Sequence, residues 1–175
     1  MRNTEFTSWL AGFFLICEPE TLTEKQLKCI SNHAKLCEYT EKNMLTVTNH
    51  MIRHMLDKVC LEDLKIHVLS QFKNVQCPSY EEICYFLQGV FEMDGKENWS
   101  RENADIVIEL LDKNVWGVAP PLVYLYYRLS KFVEGDDTTM DMTGLKADLH
   151  ALFVHDIDPK YEYDPEVADE LHNSE

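Results

Sequence analysis

Two stretches of this chain align without a gap: EFTSWLAGFFLICEPETLTEKQ at residues 5–26 and EICYFLQGVFEMDGKENWSREN at residues 82–103. Leu10, Gly12 and Phe14 fall opposite Leu87, Gly89 and Phe91, Trp9 opposite Phe86, and Thr23 opposite Ser100. Each stretch reads as an apolar block, a short loop and a residue able to cap the next helix. That pattern constrains the chain to build a similar helix–loop–helix unit twice, over 5–36 and 82–113. A chance match between two amphipathic hairpins is the alternative reading.

The first block has a helical period, with Phe6, Leu10, Phe13 and Phe14 recurring at spacings of 3 and 4. Its apolar run from Trp9 to Cys17 is about half the length of a membrane span. Glu5 interrupts the basic start a leader would need, and Glu18-Pro19-Glu20 closes the run. The block is therefore read as a core helix. Gly12 and Gly89 lie inside helical patterns, where glycine costs about 1 kcal/mol relative to alanine. Another helix packed against the backbone would offset that cost.

Further along, Thr23 with Gln26 and Ser79 with Glu82 have capping-box spacing. Leu27, Ile30, Ala34 and Leu36 supply an apolar stripe to the helix after Thr23. Residues 41–58 and 61–74 read as two more helices, LVYLYYRLSKFV as an aromatic helix with Pro121 in its first turn, and LKADLHALFV as a last core helix. EGDDTTMDMTG reads as a polar loop, and Asp164-Pro165 as the cap of a short final helix. No segment alternates with period two. The expected fold is all-α, a compact helical bundle of about eight helices, with the two duplicated hairpin halves packed together. A single domain over 1–155 and an acidic C-terminal tail over 156–175 are expected.

Phe6, Trp9, Leu10, Gly12, Phe13, Leu22, Thr23, Glu24, Gln26, Ile30 and His33 together resemble a pattern in uncharacterised small phage and prophage proteins. Those have an aromatic residue, then Trp-Leu-x-Gly-Phe, then a helix opening Leu-Thr-Glu-x-Gln. The resemblance covers residues 5–37 and, loosely, 82–103, where Phe86 replaces Trp. It implies a phage or mobile-element origin and carries no activity with it.

Charge narrows the function classes. The chain is 175 residues long with a formal net charge of −15. Residues 134–175 hold 13 acids against 2 bases, whereas 1–133 hold 18 against 14. Such a field repels nucleic acid and anionic membrane and attracts basic surfaces. Cys17, Cys29, Cys37, Cys60, Cys77 and Cys84 include no C-x-x-C pair, and most have apolar neighbours. They read as reduced, buried thiols of a cytoplasmic protein.

No arrangement of residues singles out a reaction, so the expectation is a non-enzyme with no cofactor and no metal. His50 and His54 lie one helical turn apart, a spacing that can hold a metal, but the zincin glutamate is missing and no third ligand is nearby. The run from His155 to Asp164 alternates oxygen donors without the glycine and terminal glutamate of a calcium loop. Six cysteines and seven histidines supply ingredients for Cys–His catalysis, yet no local arrangement favours one nucleophile. Trp116, Tyr124, Tyr126 and Tyr127 read mostly as core rings, with one or two facing a partner.

The function this reading favours is an acidic interaction protein, encoded by a phage, that binds and inhibits a host protein with a basic surface. The expected target is a nucleic-acid-handling defence factor of the restriction or CRISPR kind, blocked by DNA mimicry or by a protein wedge. Asp136, Asp137, Asp141, Asp148, Asp156, Asp158, Glu162 and Asp164 are the expected partner-binding residues. The alternative is an oligomeric structural or assembly protein, sealed as a homo-oligomer through the apolar face of LVYLYYRLSKF.

Overall fold

The computed structural model describes residues 1–40, 61–75, 77–93, 97–113 and 120–143, without the side chains at 35, 36, 38–40, 120 and 121. The architecture there is mostly helical. Helix α1 spans Asn3–Gly12 and runs on into a π turn at Phe13–Cys17; α2 spans Glu24–Thr40. Helix α3 spans Leu61–Lys73 and α4 Tyr80–Met93. Strand β1 (Asn98–Ser100) leads directly into α5 (Arg101–Asp112); α6 spans Pro120–Glu134 and strand β2 Thr139–Asp141.

Local chemistry sets where the helices begin. Glu5 accepts from the Arg2 backbone N–H and from its guanidinium, both at 2.7 Å, and so closes the first turn of α1. At α2 the Thr23 N–H donates to Gln26 Oε1 at 2.8 Å while Gln26 N–H donates to Thr23 Oγ1 at 3.2 Å. Ser79 and Glu82 make the same reciprocal pair ahead of α4, as do Ser100 and Asn103 ahead of α5. The π turn stops at Glu18, whose φ of 48° is left-handed, just before Pro19. A non-glycine residue there costs roughly 1–2 kcal/mol, tolerated because the packing above fixes the helix end.

Helix α1 is buried on every side: Phe6, Trp9, Leu10, Ala11, Phe13, Phe14 and Ile16 are at most 3% exposed. It packs mainly on α4, and the two cross at their glycines. A Cβ on Gly12 would stand 2.8 Å from the carbonyl carbon of Phe86, and one on Gly89 would stand 2.7 Å from that of Trp9. Each glycine thus rests on the backbone of the residue that the sequence alignment places opposite the other copy's aromatic. The contact is reciprocal: position for position, the first helix of one unit meets the first helix of the other. The second helices follow suit, with α2 lying along the C-terminal end of α4 through the Gln26 Nε2 bond to the Met93 carbonyl and α5 touching the π turn that ends α1.

Two expectations need correction. The segment read as a polar loop contains β2, which pairs antiparallel with β1 in the register Asn98–Asp141, Trp99–Met140, Ser100–Thr139. Three-residue strands are too short for a period to register in sequence. Their pairing rests on one buried couple, Trp99 and Met140, with Trp99 stacked on Phe91. The stripe of α2 runs through Ile30, Ala34 and Cys37, as 3.6-residue periodicity selects. On α6, Leu122, Leu125, Leu129 and Phe132 take the core face, while Tyr124 and Tyr127 are 45% and 54% exposed. Those two rings lie on the opposite face, open to a partner, while Tyr126 is half-buried against the core. Finally, Cys37 and Cys84 are buried but Cys77 is exposed, and no disulfide links the cysteines of the described residues.

The helices expected at 41–58 and from Leu145 onward, the tail, Cys60 and Trp116 lie outside the described residues. Among the described residues no helix is long and apolar enough to cross a membrane.

Candidate functional site

Three side chains with metal-ligand chemistry converge where α2 lies against α4. Cys29 and His33 stand one turn apart on α2, and Glu92 comes from the last turn of α4. One ligand atom of each lies within 4.8 Å of the others. His33 is 7% exposed, and its ring stacks on the Trp9 indole with centroids 4.1 Å apart. Glu92 is held by two neutral donors on the same oxygen: Trp9 Nε1–H at 2.9 Å and Gln88 Nε2–H at 3.2 Å reach Oε2. The Cys29 thiol faces the other oxygen, Oε1, at 3.5 Å.

The hydrogen bonds fix the histidine tautomer. His33 Nδ1 lies 3.0 Å from the Cys29 carbonyl oxygen, which can only accept, so Nδ1 carries a proton. In a neutral ring the lone pair then sits on Nε2, the nitrogen 3.6 Å from Glu92 Oε2. Nδ1 is 3.7 Å from Cys29 Sγ but has no lone pair left to take the thiol proton. Burial first, and then the charge of Glu92, push the Cys29 thiol well above its ordinary value, which keeps it a thiol in the absence of a cation.

Beneath the cluster lies Gln88, which is wholly buried on α4. Its Nε2 serves Glu92, while its Oε1 has no partner among the described residues. The sequence reading missed this site. The Cys29-x-x-x-His33 spacing was legible and equals that of the His50 and His54 pair, but Glu92 is 59 positions beyond His33 and only the crossing of α1 over α4 brings α2 to it.

The acidic residues expected to meet a partner divide into two groups. Asp136, Asp137 and Asp141 are exposed on and after the turn that follows α6. Asp148, Asp156, Asp158, Glu162 and Asp164, like His50 and His54, lie outside the described residues. Arg101 holds the turn in place: its Nε donates to the Asp137 carbonyl at 3.2 Å and its Nη2 to the Gly135 carbonyl. Asp141 is engaged locally, with Oδ1 accepting from the Thr143 N–H at 2.9 Å, which lowers its carboxyl below the usual range. No ion pair reaches the carboxylates of Asp136 or Asp137 among the described residues. On the neighbouring face of α6, Arg128 lies 5.7 Å over the Tyr124 ring and Lys131 lies 4.8 Å over the Tyr127 ring.

Set against protein-family models, characterised proteins and solved structures, the chain matches none of them.

Proposed function

We propose that this chain is an acidic interaction protein that binds a basic surface on a host protein, with the turn after α6 as part of its contact face. The observation that carries this reading is the Arg101 clamp. The guanidinium holds the backbone of the turn by its carbonyl groups and leaves the carboxylates of Asp136 and Asp137 exposed. A preordered backbone loses less entropy on binding than a free segment. In the full reading the chain is phage-encoded, acts in the host cytoplasm, and inhibits a nucleic-acid-handling defence factor by occupying a groove built for phosphates. No reaction and no membrane or direct nucleic-acid contact belongs to this function.

The test is capture from host lysate at low and high salt, with the wild type beside the Asp136→Asn/Asp137→Asn variant. A nucleic-acid enzyme retained at low salt, lost at high salt and weakened by the variant is the expected result. Capture indifferent to both salt and the variant sinks the reading.

The second reading, a homo-oligomer, is favoured by Val123, Tyr124 and Tyr127, which are 43%, 45% and 54% exposed on one face of α6. A monomeric mass across a wide concentration range excludes it. On the finer plan of the fold, the reciprocal glycine contact and the capping boxes at Thr23 and Ser100 support two duplicated hairpin halves within a bundle of about eight helices.

A further inference from the structure

We propose that Cys29, His33 and Glu92 form a binding site for one Zn2+ ion, with the thiolate sulfur, the imidazole Nε2 and a carboxylate oxygen as ligands.

The donor set comes first. A sulfur, an imidazole nitrogen and a carboxylate oxygen together match a borderline-soft divalent ion, whereas calcium and magnesium are held by oxygen alone. The spacing comes next. Zinc bonds of about 2.3 Å to sulfur and about 2.0–2.2 Å to nitrogen and oxygen, set at tetrahedral angles, put neighbouring ligand atoms about 3.4–3.6 Å apart. Two separations, each to a different oxygen of the Glu92 carboxylate, fall in this range, Cys29 Sγ to Oε1 at 3.5 Å and His33 Nε2 to Oε2 at 3.6 Å, and one ligand atom from each of the three residues lies within 4.8 Å of the others.

Third, the ring faces the right way. With Nδ1 against the Cys29 carbonyl, Nε2 is the nitrogen turned toward the Glu92 carboxylate, at 3.6 Å, and the Cys29 thiol stands beside the same carboxylate.

The outer contacts fit as well. Metal-bound histidines hand their other N–H to a carbonyl or carboxylate, and ligating carboxylates are themselves hydrogen-bonded. His33 does the first toward Cys29, and Glu92 receives Trp9 and Gln88 on Oε2, which leaves Oε1 to face the thiol. Trp9 stacks on the imidazole and so also sets its plane. Binding releases the thiol proton to solvent as the Zn–S bond forms, and no electrons are transferred.

The full-length chain, dialysed against chelator and never exposed to an affinity metal, is titrated with Zn2+ and separately with Co2+. One Zn2+ per chain is expected by elemental analysis. A thiolate-to-cobalt charge-transfer band with the strong visible bands of four-coordinate cobalt is expected from the second titration. Cys29→Ser, His33→Gln and Glu92→Gln each lower affinity by on the order of a hundredfold, while Cys77→Ser and Cys84→Ser, outside the cluster, leave it unchanged. The wild-type cobalt spectrum decides the matter even where a ligand variant fails to fold. A metal ratio near zero, with nitrogen NMR finding both ring nitrogens of His33 protonated, overturns the proposal in favour of a plain ion pair. Cobalt bound without the thiolate band, or binding abolished by Cys77→Ser, overturns it as well.

Discussion

A single methyl group at Gly89 tests the crossing on which this architecture depends. Its Cβ would stand 2.7 Å from the Trp9 carbonyl carbon and nearer still to the oxygen, against 3.4–4 Å for ordinary contact. Both sides are helix backbone, so no side chain can swing away, and α1 and α4 must part by roughly 1 Å. A gap of that size forfeits about half of each dispersive contact across the seam. Roughly 40 contacts of about 0.15 kcal/mol then lose about 3 kcal/mol. Alanine returns about 1 kcal/mol of helix propensity, leaving Gly89→Ala destabilised by about 2 kcal/mol. Gly12→Ala, which meets the Phe86 backbone in the same way, carries a similar cost. The two substitutions relieve themselves by the same separation, so that loss is incurred once while about 1 kcal/mol of propensity returns at each site, and the double variant costs only about 1 kcal/mol, well short of the sum. Urea unfolding of the four proteins, followed by far-ultraviolet circular dichroism, measures all three differences. A stabilised Gly89→Ala, or strict additivity in the double variant, would refute the reciprocal close approach.

Other expectations follow from single contacts. Thr23→Ala and Ser100→Ala each remove the hydroxyl of a capping box and lower stability by about 1 kcal/mol in the same assay. Arg101→Ala frees the carbonyls of Gly135 and Asp137, so amide hydrogen exchange should quicken across the turn and β2 while α1 and α4 keep their protection. Burial, aided by the charge of Glu5, pushes the Tyr85 phenol up to about 12 from its ordinary value near 10. The folded state therefore favours the neutral phenol. Its contribution is complete below pH 10 and is lost as pH climbs from 10 to 12. Unfolding curves of Tyr85→Phe should fall less steeply than wild type across that window, and parallel curves would count against the burial account.

The caps and core faces were legible because they depend on neighbours in sequence. Thr23 with Gln26 and Ser79 with Glu82 act across one turn, and the apolar period of 5–17 needs only a helix to bring its residues onto a common surface. Which tyrosines of α6 face outward was not legible from aromatic content, which does not say which face is inward; the leucine spacing at 122, 125 and 129 does. Strands β1 and β2 were invisible because a three-residue strand exists only through its partner.

What the sequence by itself determined is local: helices that begin at hydroxyl caps, an apolar first block too short for a membrane, and two glycines placed where a backbone could approach. A chain writes such things within a few residues, since capping, periodicity and the absence of a side chain act at that range. The tertiary structure decided which backbone meets each glycine, and so carried α2 onto the end of α4. Only that contact brings Glu92 to Cys29 and His33. A ligand set split between distant segments leaves no spacing to read, because its geometry comes from the crossing angle and close approach of helices.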